Sequence, residues 1–226
     1  MGYGPEEKAT LDEAKPYTMT DKRRVLALIH AVRYVVNQDI PGDIVECGVW
    51  KGGSMMVITR TLLNLKVRDR RLHLFDTFEG MSTPTKSDVS IEGHDAIRMF
   101  AETKLEDREG SEWCRSQLDD VRAAVESTGY PKDKITYVKG KVEDTLPAAA
   151  PKRIALLRLD TDWYESTLAE MDHLFTRLVP GGVLIIDDYL YWRGARQAVD
   201  EYIKREKVRI FLSPVDGGAV IGVKQS

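Results

Sequence analysis

Leu157-Arg158-Leu159-Asp160-Thr161-Asp162-Trp163 and, after one helical stretch, Val183-Leu184-Ile185-Ile186-Asp187-Asp188 decide how this chain folds. In each segment an apolar run stops at a pair of acids. Short continuous apolar runs are what strands buried on both faces look like, and parallel sheets covered by helices bury both faces. Acids at the stop would project from the carboxyl ends of the strands, where ligands of such sheets sit. If the two strands are neighbours, all four acids share one rim, a place suited to a hard divalent cation.

Working outward from there, Ile44-Val45-Glu46-Cys47 predicts a first strand and residues 53–64 a helix. Leu72-His73-Leu74-Phe75, closed by Asp76, predicts a second strand, and Ile135-Thr136-Tyr137-Val138 a third. Residues 154–159 and 183–186 are the fourth and fifth. Residues 208–212 and 219–223, split by Pro214-Val215-Asp216-Gly217-Gly218, read as a closing hairpin. Helices fall between most of the strands, including 165–178 and 194–206. Strands alternating with helices predict one α/β domain over 1–226, a doubly wound, mostly parallel, seven-stranded Rossmann-like sheet. A polar N-terminal helical arm through about Thr20 leads into a helix that Thr20 or Asp21 can cap, with Val25, Leu28, Ile29, Val32 and Val36 on its apolar stripe. Between 77 and 113 the pattern fails, with Ser82-Thr83-Pro84-Thr85 and then dense charge over 104–112. That length predicts a lid over the site, mobile or partly helical.

Composition narrows the partners. A net charge of −3 over 226 residues argues against nucleic acid and anionic membrane surfaces as partners. No apolar run approaches the roughly 20 residues that span a bilayer. The start, Met1-Gly2-Tyr3-Gly4-Pro5-Glu6, is neither a signal peptide nor a myristoylation pattern. Cys47 and Cys114 make no disulfide framework, which points to a reducing cytoplasm.

The first strand runs into Glu46-Cys47-Gly48-Val49-Trp50-Lys51-Gly52-Gly53-Ser54. A glycine turn after strand one, opening a helix, is a cofactor site in many α/β proteins. A dinucleotide wants glycine two places after Gly48, so that its pyrophosphate can approach the backbone, and Trp50 blocks that approach. A ligand without pyrophosphate fits better, and S-adenosylmethionine (SAM) is the candidate. Asp76, ending strand two, can accept hydrogen bonds from ribose hydroxyls.

These segments, with Leu74-Phe75-Asp76-Thr77-Phe78-Glu79-Gly80-Met81, Gly140-Lys141-Val142-Glu143-Asp144-Thr145-Leu146-Pro147, Asp160-Thr161-Asp162-Trp163-Tyr164-Glu165-Ser166 and Asp187-Asp188-Tyr189, resemble the macrocin O-methyltransferase family. The motifs span roughly 44–190 and are specific for the family, not for one substrate. The resemblance implies a class I SAM-dependent methyltransferase that needs a divalent metal, usually Mg²⁺, and methylates sugar hydroxyls of glycosylated antibiotics. It implies metal binding by Asp160, Asp187 and Asp188, with Asp162 as the general base. It also implies an arm and lid that cover a small glycosylated substrate, and relatives that are often dimeric. Carried over onto this chain, the cofactor-binding set is Glu46, Gly48, Val49, Ser54, Asp76, Thr77, Phe78, Gly140, Lys141, Val142 and Asp160.

Methyl transfer from a sulfonium is an in-line displacement, so alignment and a competent oxygen nucleophile are the main requirements. A cation on two adjacent hydroxyls would acidify and orient the reacting one. Catechol methyltransferases share the fold but place a lysine just after the first metal aspartate. Residues 160–167 contain none, so a carboxylate base suits this chain better. A small-phenol or catechol methyltransferase, and a SAM-binding protein without turnover, stand as the alternatives. The plainest rival reading of Asp160, Asp162, Asp187 and Asp188 is that they only cap helices. Trp163 and Tyr164 either stack on a sugar or line the core, and Tyr189, Tyr191 and Trp192 stand beside the acids.

Overall fold

A computed structural model of the chain describes residues 4–106 and 110–225. Residues 1–3 of the arm, 107–109 in the charged part of the lid, and residue 226 lie outside the described residues. One seven-stranded sheet runs in the order β3-β2-β1-β4-β5-β7-β6. Its strands are β1 (Asp43–Cys47), β2 (Leu72–Asp76), β3 (Ile135–Lys139), β4 (Ile154–Leu159), β5 (Leu178–Ile186), β6 (Ile210–Pro214) and β7 (Val220–Lys224). The first five are parallel, and β7 runs antiparallel between β5 and β6.

Alternation along the strands sorts side chains between two helical layers. Ile44, Leu72, Leu74, Leu156 and Ile185 face a core shared with α2 (Lys22–Asn37), α3 (Gly53–Asn64) and α5 (Leu118–Glu126). Val45, Phe75, Leu157, Leu184 and Ile186 face the opposite core, with α6 (Val142–Ala149), α7 (Tyr164–Leu174) and α8 (Arg193–Glu206). Each such fully buried aliphatic side chain contributes about 1.5–3 kcal/mol. The sheet is therefore fastened from both sides, and its rim is a rigid platform.

Register sets where that platform ends. Cys47 pairs with Phe75 on one side and Leu159 on the other, and Leu159 pairs with Ile186. The residues that follow, Gly48, Asp76, Asp160 and Asp187, consequently leave the sheet along one edge.

The arm is helical as expected, as α1 (Pro5–Ala14) and a 3₁₀ turn over Lys15–Tyr17. Boundaries differ from expectation where the backbone is irregular. Asp21 caps α2, its side chain accepting from the Arg23 and Arg24 amides. Val25, Leu28, Ile29 and Val32 of α2 are buried as expected, but at the end of the stripe Val35 is buried and Val36 only partly so. The helix expected over 165–178 ends as α7 at Leu174, and a 3₁₀ turn over Phe175–Arg177 feeds β5 at Leu178. Among its described residues the lid contains one helix, α4 (Ala96–Thr103). Among the described residues no helix is long and apolar enough to cross a membrane.

Candidate active site

The glycine turn after β1 brings two strand ends into contact. Gly48 has φ +80, and a Cβ there would overlap the Asp160 carbonyl, so only glycine fits. The next two amides point at Asp76. Its Oδ2 accepts from Val49 at 2.7 Å and Trp50 at 3.0 Å, and its Oδ1 from Phe78 at 2.7 Å. Burial pushes this carboxyl up, against the pull of those three amides. Asp76 thus shapes the turn itself, and a ribose would share oxygens already engaged.

Arg158, the lone charge inside an apolar strand, ties the turn to the acids. It is buried, and donates to Glu46 Oε1 at 2.7 Å. It also pairs with Asp160 at 2.8 Å and Asp187 at 2.6 Å. Burial pushes Glu46 up to about 7, partly offset by Arg158. Arg24 reaches one of these acids from α2, at 3.3 Å from Asp187, and pairs at 2.7 Å with Asp216 in the β6–β7 turn. Asp187 therefore faces two arginines.

One oxygen each of Asp160, Asp162 and Asp188 converge, all within 4.8 Å of one another. Burial holds Asp160 and Asp188 well above the usual carboxylate range, with the neighbouring acids adding to the effect. Burial likewise pushes Asp162 up to about 7, although hydrogen bonds to Asp188 and the Trp192 side chain pull the other way. Adjacent carboxyls that hydrogen-bond cannot both be ionised. Crowded hard oxygen donors with surplus negative charge match what Mg²⁺ takes. None of these acids caps α7; Asp88 from the lid accepts from the Tyr164 amide at 2.8 Å instead.

The acids line a cavity of about 570 Å³. Gly48, Val49 and Ser54 line it from the glycine turn and the start of α3, Asp76 and Thr77 from the end of β2, and Gly140, Lys141 and Val142 from the segment after β3. Glu46 and Phe78 are buried residues outside that lining, as is Asp187. Sequence reading passed over Arg24, Arg158, Cys114 and the arm residues Tyr17, Thr18 and Asp21, all of which line the cavity. Arg158 carried a signal, a cation interrupting an apolar strand. At Gly53 a Cβ would strike the Tyr17 carbonyl, so the arm lies directly over the start of α3. Over the acids stands an aromatic cluster, with Trp163 5.5 Å from Trp113 and 5.1 Å from Trp192. Trp163 is buried within it, whereas Tyr164 turns outward to Glu201 and Tyr189 to Asp200.

Sheet order, glycine turn and acid rim together define a Rossmann-like class I methyltransferase. The O-methyltransferase NovP has this fold, with a TM-score of 0.80 at 28% identity over 93% of this chain and 83% of that one. The calicheamicin methyltransferase CalS11 shares the fold at 17% identity and TM-score 0.67, over 99% of this chain and 94% of its own.

The chain belongs to the macrocin-O-methyltransferase (TylF) family, whose sequence profile matches residues 7–223, and is an O-methyltransferase. It is 36% identical over 204 residues to the 8-demethyl-8-(2,3-dimethoxy-alpha-L-rhamnosyl)-tetracenomycin-C 4'-O-methyltransferase of Streptomyces olivaceus, covering 90% of this chain and 74% of that one. It is 32% identical to the mycinamicin III 3''-O-methyltransferase of Micromonospora griseorubida, covering 88% and 75%. Demethyldecarbamoylnovobiocin O-methyltransferase of Streptomyces niveus is 31% identical, covering 92% and 75%.

Proposed function

We propose that this enzyme transfers a methyl group from SAM to a sugar hydroxyl of a glycosylated natural product, with a divalent cation at the acid cluster. The observation that carries the reading is the convergence of Asp160, Asp162 and Asp188 in the wall of a cavity that also holds the glycine turn. Relatives whose names specify a rhamnosyl 4' or a 3'' position support a sugar as acceptor.

Asp160 and Asp188 would hold the cation, with Asp187 contributing the oxygen that Arg24 and Arg158 leave. A bound dication supplies Lewis acidity to an acceptor diol and fixes its direction. Asp162 takes the proton from the reacting hydroxyl. The Gly48–Ser54 turn, the 140–142 loop and Asp76 cradle the donor. Arg158 keeps Glu46 on the donor side and Asp160 on the acceptor side in fixed relation. Trp113 and Tyr191, which line the cavity beside the acids, offer faces on which a sugar ring can lie and exclude water.

The test is methyl transfer from labelled SAM to a rhamnosylated aglycone and to a catechol, each with EDTA and with added Mg²⁺. Transfer to the sugar alone, abolished by EDTA and restored by Mg²⁺, is expected. Full activity in EDTA, or transfer to the catechol alone, would overturn the reading. SAM binding without transfer to either class of acceptor would favour a protein without turnover.

A further inference from the structure

Asp162 occupies a backbone conformation that aspartate does not favour. Its φ is +68, and the Trp163 amide donates across it to the Thr161 carbonyl at 2.8 Å. An i to i+2 bond around a positive-φ residue is the rarer, strained form of γ-turn. Holding a non-glycine residue there costs on the order of 1–3 kcal/mol, and such turns persist only where their surroundings over-determine them.

Both flanking residues are pinned by side chains. Trp163 donates its indole N–H to the Ser82 carbonyl of the lid at 2.9 Å. The Thr161 hydroxyl donates to Glu170 Oε1 at 2.9 Å. Glu170 is wholly buried on α7, and the chemistry proposed above makes no use of it. Burial holds its carboxyl well above the ordinary range, against the Thr161 hydrogen bond and with the charges of Glu143 and Asp188 adding to the shift. Its Oε2 has no hydrogen-bond partner, an arrangement a neutral acid tolerates better than a carboxylate. Leucine at this point of α7 would pack without that cost, but could not hold the Thr161 hydroxyl.

We propose that Glu170 is a positioning residue. Through Thr161 it fixes the turn that aims the Asp162 carboxylate and keeps it beside Asp160 and Asp188. This rests on the reading of Asp162 and the acid cluster given above.

Glu170→Leu, Thr161→Val, the double variant and Glu170→Gln test it, by calorimetric titration with Mn²⁺, by SAM affinity and by turnover of the rhamnosylated acceptor. Each of the first two is expected to weaken Mn²⁺ binding and lower kcat by about 10–100-fold, the range found when groups supporting metal ligands are removed. SAM affinity and the acceptor KM stay at wild-type values. The double variant is no worse than the worse single, because both act through one bond, and Glu170→Gln recovers most of the loss. Wild-type Mn²⁺ affinity and kcat in both singles, or losses that multiply in the double variant, overturn the proposal. Should Glu170→Leu not fold, Thr161→Val decides, since it removes one hydroxyl at nearly constant volume. Asp162→Asn run in parallel separates the two readings. Undiminished turnover there overturns the base assignment, and Mn²⁺ affinity still scores the clamp. A wild-type protein that takes up no Mn²⁺ overturns the metal site, and kcat then scores the clamp.

Discussion

A general base serves best when its pKa lies near the working pH, and an isolated aspartate, ordinarily near 3.8, is too weak a base. Burial, with the charges of Asp160 and Asp187 adding to it, brings Asp162 to about 7 against the pull of its hydrogen bonds to Asp188 and Trp192. Asp162→Asn keeps nearly the same shape and removes the proton acceptor. It is expected to leave the SAM dissociation constant unchanged while kcat falls by about 10²–10⁴-fold; unchanged kcat in single-turnover assays would remove Asp162 from the role. The acids themselves were legible in the sequence, because apolar strands that stop at aspartate can be seen without coordinates. The direction each side chain takes was not. Asp187 turns to Arg158 and to Arg24, the latter 163 residues away in the chain, and sequence spacing carries no trace of such a pairing.

At the scale of elements, a buried carboxylate is one of the ties that hold the lid down. Asp88 accepts from the Thr85 amide and hydroxyl at 2.6 and 2.8 Å, and from the first amide of α7 at 2.8 Å. Asp88→Ala removes all three bonds and frees a helix terminus, which should destabilise the protein by about 1–3 kcal/mol. Beyond that anchor, Ile91, Glu92, Gly93, His94 and Asp95 are exposed. Limited proteolysis is expected to cut first between Ser82 and Gly110, near this exposed stretch, more slowly with SAM and acceptor bound and faster in Asp88→Ala. Equal cleavage rates with and without ligand would argue against a closing lid. Sequence patterning located the lid by the failure of periodicity but could not find its anchor, since nothing in Ser87-Asp88-Val89 marks a cap for a helix beginning at Tyr164. The arm was expected to be helical, but what holds α1 in place was not legible, for a related reason. Only Thr10 and Ala14 of it are buried, and pairs to distant residues, Glu7 with Arg33 and Glu13 with Arg60, hold it down. The front of β5 was hidden by Val179-Pro180-Gly181-Gly182, which reads as a turn yet joins the sheet.

For the molecule as a whole, so much buried acid makes stability depend on pH. Glu46 moves from 4.5 to about 7 on folding, so it favours the folded state fully below pH 4.5 and loses that contribution as pH rises through 7. Asp216 acts oppositely. The Arg24 hydrogen bond and two backbone amides overcome the effect of burial and hold it at about 2, so its contribution is present above its ordinary 3.8 and fades toward pH 2. In EDTA, Tm should therefore be higher at pH 5 than at pH 8, and Glu46→Gln should reduce the difference. A wild-type slope retained in Glu46→Gln, measured by scanning calorimetry, would show that other groups dominate. The Arg24–Asp216 pair also makes the acid rim depend on distant sequence. It joins the second helix to the turn before β7, so a chain cut short ahead of Asp216 would keep the residues of the donor cradle yet lose the latch that holds Arg24 beside Asp187.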